Sequence, residues 1–234
     1  MRADTSTASA FLDRLAPDER AALVGAGTAR HYRKGEPLFV AGDAGGFVVL
    51  IIEGRVKVTA PVPNGTEAVL SLRGPGDLVG ELSALEDVPL ERVATVVALE
   101  PVVCRVMRAD DFRSILADHP AIALGLLRMV SARLRAADRR IVEYGAYDTV
   151  RRLARLLVEM AADRPATTGI GGGYGPGVHV LRTGLTQDEL ASMVGSSRES
   201  VARALATLRS LGLLSTGRGR IEVRDLPGLR IFGH

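Results

Sequence analysis

The sequence predicts an α+β chain: an N-terminal antiparallel β-roll of the jelly-roll type, one long helix, and a C-terminal pair of short helices with a small hairpin beside them. Three observations carry this expectation. Short apolar stretches separated by Gly- and Pro-bearing turns run from His31 to about Arg108. Between Pro120 and Tyr147 the apolar period changes to steps of three and four. Near the C-terminus a Thr-x-x-Glu box at Thr186 opens two short amphipathic segments separated by Gly195. Of the 234 residues, 47% are apolar but only 4% aromatic, so the chain is globular rather than disordered and its core is built from Leu, Val, Ile and Ala.

In the roll, the strand-like stretches are Pro37–Val40, Phe47–Glu53, Arg55–Ala60, Ala68–Arg73, Ala94–Leu99 and Val102–Met107. Between them lie Gly42-Asp43, Glu53-Gly54, Pro63-Asn64-Gly65 and Pro75-Gly76-Asp77. Glycine supplies the positive φ a reversal needs, and proline removes a donor that a ladder would use. Many short strands at this spacing read as an antiparallel roll or barrel. The single cysteine, Cys104, sits in an alternating run and reads as a small buried hydrophobe. One thiol forms no internal disulfide, which fits a reducing cytoplasm. The polar start, Met1 to Ala10, does not read as a signal peptide, and no apolar run approaches the ~20 residues that span a bilayer. A cytoplasmic protein with no membrane partner is expected.

Ile122, Leu126, Val130, Leu134, Ala137, Ile141 and Tyr144 trace one stripe along a long helix from Pro120 to Tyr147. That seam needs cover, either from the chain's own roll or from a second copy in a homodimer, and a dimerisation helix is the favoured reading. A second helix follows from Asp148 to Ala162, with Asp148 as its cap. Asp163 to Gly184, which includes Gly171-Gly172-Gly173, reads as a loop or splayed hairpin with a strand at Val178–Leu181. No Lys-Ser/Thr follows those glycines, so they are not a phosphate loop.

Thr186 and Glu189 form a capping box, and Leu190, Ala191 and Val194 make the inner face of the helix it starts. Gly195 permits a tight turn, Ser196 or Ser197 caps the next helix, and Val201, Ala204, Leu205 and Leu208 face inward. Arg198, Glu199, Ser200 and Arg203 are then left on the outer, N-terminal side. Those residue types suit base edges in a major groove: guanidinium forks onto guanine O6 and N7, and carboxylate accepts from the cytosine amino group. Leu211 to Val223 reads as two short strands around a Gly-rich turn, a wing whose Arg218 and Arg220 would touch phosphate. The expectation is a winged helix-turn-helix. Charge distribution agrees: residues 151–234 hold 12 Arg and 7 acids, net +5, whereas residues 1–150 hold 18 basic and 20 acidic residues, net −2.

With these motifs the chain resembles the CRP/FNR family of bacterial regulators. Gly195 to Arg203, containing Ser-Arg-Glu-Ser-Val-Ala-Arg, is similar to that family's recognition helix. Lys34-Gly35-Glu36, Ala41-Gly42-Asp43, Glu53-Gly54-Arg55-Val56-Lys57-Val58 and Pro75-Gly76-Asp77 resemble the turns of its cyclic-nucleotide-binding roll, and Gly80-Glu81-Leu82-Ser83 the start of its phosphate-binding cassette. The resemblance implies a homodimer divided into a roll (1–119), a long helix (120–147) and a DNA-binding domain (148–234). It implies contacts to double-stranded DNA through Thr186, Gln187, Ser197, Arg198, Glu199, Ser200, Arg203 and Arg218. TGTGA-like half-sites read by helices ~34 Å apart are expected, with RNA polymerase as a further partner.

By the same resemblance the effector is a cyclic nucleotide, cAMP or cGMP, held by Gly80, Glu81, Leu82, Ser83, Arg92, Val93 and Asp138. Glu81 would take the ribose hydroxyl and Arg92 the cyclic phosphate. Val93 departs from the family pattern, which has a hydroxyl residue there, and Leu85 to Glu91 is slightly long. Ala137 and Asp138 stand where adenine-contacting Thr and Ser are usual. Another small effector, or a roll serving only as dimer scaffold with a buried Glu81–Arg92 pair, are the alternatives. His31, His119, His179 and His234 are scattered and suggest no haem ligand. No Ser/His/Asp set, metal-ligand cluster or nucleotide loop occurs at usable spacing, so an enzyme is not expected.

Overall fold

The computed structural model describes residues 10–62, 65–86, 90–162, 178–181, 183–217 and 219–234. The chain divides into two compact units, one ending at Ala136 and one running from Ala137 to His234.

The first unit opens with a short 3-10 turn, Phe11–Arg14, and α1 (Pro17–Gly25). Eight strands follow: β1 (Thr28–Tyr32), β2 (Pro37–Phe39), β3 (Phe47–Glu53), β4 (Val56–Pro61), β5 (Glu67–Arg73), β6 (Leu78–Val79), β7 (Thr95–Ala98) and β8 (Val102–Arg108). A one-turn helix, α2 (Glu81–Ala84), lies between β6 and β7. The strands form two four-stranded antiparallel sheets, ordered β1-β8-β3-β6 and β2-β7-β4-β5. Val49 and Ile51 of β3 join Phe39, Val56, Val96, Val102 and Cys104 in one apolar cluster. Val48 and Leu50, on the opposite face, belong to a second cluster with Phe11, Leu23, Met107 and Phe112. Cover on both faces explains why β3 is a continuous apolar run rather than an alternating one. Cys104 is fully buried, as its sequence context implies.

Two helices close this unit, α3 (Ala109–Asp118) and the start of α4 (Pro120–Ala146). Ile122, Leu126 and Met129 of α4 enter the second cluster, each buried side chain contributing ~1.5–3 kcal/mol. The single stripe expected along this helix is therefore two faces. One is roll core. The other, Leu124, Leu127, Leu134 and Ile141, is exposed, with Leu134 and Ile141 63% and 69% open. The opening 3-10 turn, α1, β1, β6, α2 and α3 are absent from the sequence reading. β1 is a nearly all-exposed edge strand (Thr-Ala-Arg-His-Tyr), so it carries no alternation to read. α3 buries only Phe112 completely, and β6 is two residues long.

In the second unit α4 ends at Ala146 and α5 (Thr149–Ala162) begins, capped by Asp148, whose Oδ1 accepts from Arg151 N at 2.9 Å. α5 buries Leu153, Ala154, Leu156, Leu157 and Ala161. Then come β9 (His179–Leu181), α6 (Gln187–Met193), α7 (Arg198–Ser210), β10 (Leu214–Gly217), β11 (Arg220–Val223) and α8 (Leu226–Gly233). β9, β10 and β11 make a three-stranded antiparallel sheet in the order β10-β11-β9. The triple-glycine stretch expected as a loop lies outside the described residues, as does Arg218. The expected strand begins one residue later, at His179. α8, capped by Asp225, packs on α5 and was not anticipated.

Candidate nucleic-acid interface and effector cassette

The helix pair is assembled by local hydrogen bonds that the sequence spells out. Thr186 Oγ1 accepts from Glu189 N at 3.2 Å, and Thr186 N donates to Glu189 Oε2 at 2.7 Å, closing the capping box. α6 buries Leu190, Ala191 and Met193, leaving Thr186 and Gln187 exposed at its start. Gly195 turns the chain at φ 58°. Ser197, rather than Ser196, caps α7: its Oγ accepts from Ser200 N at 3.2 Å. Val201, Ala204, Leu205 and Leu208 are buried, which turns Ser197, Arg198, Glu199 and Arg203 outward with Ser200 half-buried behind them.

The outward groups are oriented yet lightly held. Arg203 Nη2 donates to Ser200 Oγ at 3.0 Å, and Arg198 approaches Asp188 only to 3.8 Å in the open. The Glu199 carboxyl is held below the usual carboxylate range, first by its own backbone N–H and then by the Ser197 hydroxyl, so it is an acceptor at neutral pH. β10 and β11 pair in register from Leu214↔Val223 to Gly217↔Arg220. Arg209 Nη1 ties α7 to the hairpin through Thr216 Oγ1 at 3.1 Å. Arg220, expected on phosphate, pairs with Glu222 at 2.9 Å on its own strand, its side chain 43% exposed.

In the roll, Gly80, Glu81, Ser83 and Arg92 are brought together, while Leu82 and Val93 face solvent, Val93 with 72% exposure. Arg92 is 3% exposed. Its Nη1 donates to Gly80 O at 2.9 Å and Ser83 Oγ at 2.7 Å, and its Nη2 to Phe47 O at 2.5 Å. Its guanidinium carbon lies 4.2 and 4.5 Å from the ring centres of Phe39 and Phe47. Gly80 is a glycine for two reasons: φ is 81°, and a Cβ there would sit 2.5 Å from Arg92 Nη1. Burial pushes the Arg92 pKa down, opposed by Glu81 and Asp43.

Glu81 does not pair with Arg92, correcting one expected arrangement. Its carboxylate, 4% exposed as a residue, accepts from Arg133 Nη1 at 2.6 Å, while Arg133 Nη2 donates to Leu78 O at 2.7 Å. Sequence reasoning missed Arg133, although a signal exists. It continues the Ile122, Leu126, Met129 face, and a cation on a core-facing register calls for a buried partner. Asp138 is exposed on α4. For an anionic ligand the cassette fits in one respect: Arg92 Nε is buried with no hydrogen-bond partner among the described residues. It fits less well at Glu81, already engaged by Arg133, and at Val93, which offers no hydroxyl. No group of three or more metal-ligating side chains occurs among the described residues.

Comparison with known proteins agrees with both halves. Residues 29–119 match the Cyclic nucleotide-binding domain family and residues 151–232 the Crp-like helix-turn-helix domain family. The chain is 31% identical over 211 residues to the Cyclic AMP receptor protein of Thermus thermophilus, covering 90% of each. It is 33% identical over 194 residues to a CRP-like cAMP-activated global transcriptional regulator of Mycobacterium tuberculosis, covering 83% of each. The structure of FixK2 from Bradyrhizobium japonicum shares the fold at TM-score 0.72 and 22% identity, over 88% of this chain and 96% of that one. An N-terminal cyclic-nucleotide-binding-type roll and a C-terminal helix-turn-helix with outward Arg and Glu thus occur on one chain, which belongs to the CRP/FNR family of DNA-binding transcriptional regulators and is not an enzyme.

Proposed function

We propose that this regulator works in the cytoplasm as a homodimer whose DNA affinity is gated by a small effector of the cyclic-nucleotide class, cAMP or cGMP. The reading is carried by the outward end of α7, where Arg198, Glu199 and Arg203 stand on a Ser197-capped helix with their polar ends open. In this reading Arg198 and Arg203 fork onto guanines of TGTGA-like half-sites, Glu199 accepts from a cytosine amino group, and Thr186, Gln187, Ser197 and Ser200 hold phosphate and register. In the same reading Arg218 adds a phosphate contact. The exposed Leu124, Leu127, Leu134 and Ile141 supply an apolar seam for a second copy. RNA polymerase is the partner through which occupancy becomes regulation. The working parts are the roll (1–119), the dimer helix (120–147) and the DNA-binding domain (148–234).

The effector reading rests on the donor left on Arg92 and on relatives whose names record cAMP activation. In this reading Gly80, Leu82, Ser83 and Val93 would contact the ligand beside Arg92, and Asp138 would meet the base. A second reading has its own support: Arg133 already holds Glu81 and Val93 lacks a hydroxyl, as in a roll that serves only to build the dimer. Binding-site selection with and without cAMP and cGMP, paired with sedimentation, separates the two. Enrichment of a two-fold symmetric site by a dimer, sharpened by one nucleotide, is the expected result. Enrichment indifferent to both nucleotides selects the scaffold reading, and no enriched sequence ends the base-reading account.

A further inference from the structure

Gly195, the turn before the reading helix, is gripped from two other elements of the same unit. Tyr144, near the end of α4, sets three ring carbons 2.9, 3.1 and 3.2 Å from the point a Cβ on Gly195 would occupy. Its hydroxyl donates to Met193 O at 3.4 Å. Arg152, in the first turn of α5, donates through Nη1 to Tyr144 O at 3.1 Å and through Nη2 to Gly195 O at 3.4 Å and Thr149 Oγ1 at 3.5 Å. Its guanidinium carbon lies 5.5 Å from the centre of the Tyr144 ring, and Thr149 Oγ1 lies 2.9 Å from Ser196 Oγ. The tyrosine was expected on the seam of the long helix; the structure turns it to the turn of the helix pair. A single planar cation satisfies one carbonyl from the last turn of α4, which helix geometry leaves without an intrahelical partner, and one from the turn that launches α7.

We infer that Tyr144 and Arg152 are positioning residues that set the angle at which α7 leaves Gly195, and thereby the half-site spacing that a dimer accepts. The lever is long enough for this. Arg203 lies eight residues past Gly195, ~12 Å along the helix at the usual rise. A tilt of about 10° at the turn displaces its guanidinium by ~2 Å, several times the width of the hydrogen-bond distance range. Only glycine lets the ring approach so closely, so φ and the ring together demand that residue. The spacing part of the inference rests on the dimeric reading proposed above; the grip on the turn does not.

The test uses the full chain with Tyr144→Ala, Arg152→Met and the ring-retaining Tyr144→Phe. Hydrogen exchange is followed at the amides of Gly195, Ser196 and Val201, which donate to Ser192 O, Ala191 O and Ser197 O. Exchange there rises about tenfold in the first two variants, while amides of the α5 core keep their protection and Tyr144→Phe matches the parent. In parallel, synthetic duplexes carry two TGTGA-like half-sites whose separation is varied by single base pairs. The parent prefers one separation by about tenfold over its neighbours, and Tyr144→Ala reduces that preference to less than about threefold. Unchanged exchange at the turn overturns the inference, as does a loss of protection spread equally over α5 and α8, which would mark a general folding role. A parent indifferent to separation counts against the dimeric reading, and the exchange result still decides the grip.

Discussion

Replacing Arg133 by methionine keeps the length of the aliphatic stem and removes the guanidinium. Glu81 is then left 4% exposed with its pairing cation gone, and Leu78 O loses a donor. Breaking a buried ion pair from one side costs about 3–5 kcal/mol, because the remaining charge stays desolvated. The Arg133 side chain is 22% exposed, so water reaches the gap and the low end, about 3 kcal/mol, applies. For a unit of this size each kcal/mol moves the melting temperature by ~3–5 °C, so Arg133→Met should melt about 10 °C below the parent in calorimetry. Adding Glu81→Gln removes the stranded charge and should recover at least about half of that loss. A single variant melting within about 2 °C of the parent would refute the reasoning, since Glu81 would then not depend on Arg133 in solution.

Arg203→Ala should weaken operator binding by ~1–3 kcal/mol and relax one base position, read by titrating single-base operator variants; equal loss on random DNA would remove its base-reading role. Arg218→Ala should weaken all sequences alike and lower the slope of log affinity against log salt by ~1. Leu134→Glu with Ile141→Glu puts two like charges on the exposed seam of α4 and should shift sedimentation from dimer to monomer, with loss of operator binding; an unchanged dimer would place the interface elsewhere. Burial pushes the Cys104 thiol from 9.0 to about 11. The folded state therefore keeps its proton while the unfolded chain ionises, so this contribution to stability is complete below about 9 and is lost as pH rises from there through about 11. Native protein at pH 8.5 should resist alkylation that the denatured chain undergoes readily, and equal rates would show the thiol to be accessible.

What was legible in the sequence was local. The capping box at Thr186, the turn at Gly195, the Asp148 cap and the β3 run each sit within a few residues, and short-range hydrogen bonding or burial dictates them. Two kinds of feature were not legible. β1 has no apolar alternation because it lies at a sheet edge with nearly every side chain in solvent, and what makes it a strand is its pairing with β8, from Thr28↔Val106 to Tyr32↔Val102. The Glu81–Arg133 pair joins residues 52 positions apart, and no spacing rule reaches that far. The α4 stripe fails for another reason. Period alone does not say which neighbour covers a face, so it merged a roll-facing side, an open side and a tyrosine committed to Gly195.

Strand β3 is apolar on both sides, and that leaves it without the usual safeguard against misalignment. In a half-buried strand, sliding by one residue throws greasy side chains into water, and this penalty enforces correct pairing. Here Val48, Val49, Leu50 and Ile51 would trade places with little change in concealment, so fidelity must be written elsewhere. The irregularity between Ile51 and Glu53 opposite β8, together with the Arg92 guanidinium seizing the carbonyl of Phe47, supplies two fixed marks at opposite ends of the strand. The arginine that orders the cassette is in this sense also a ruler for the roll's central strand.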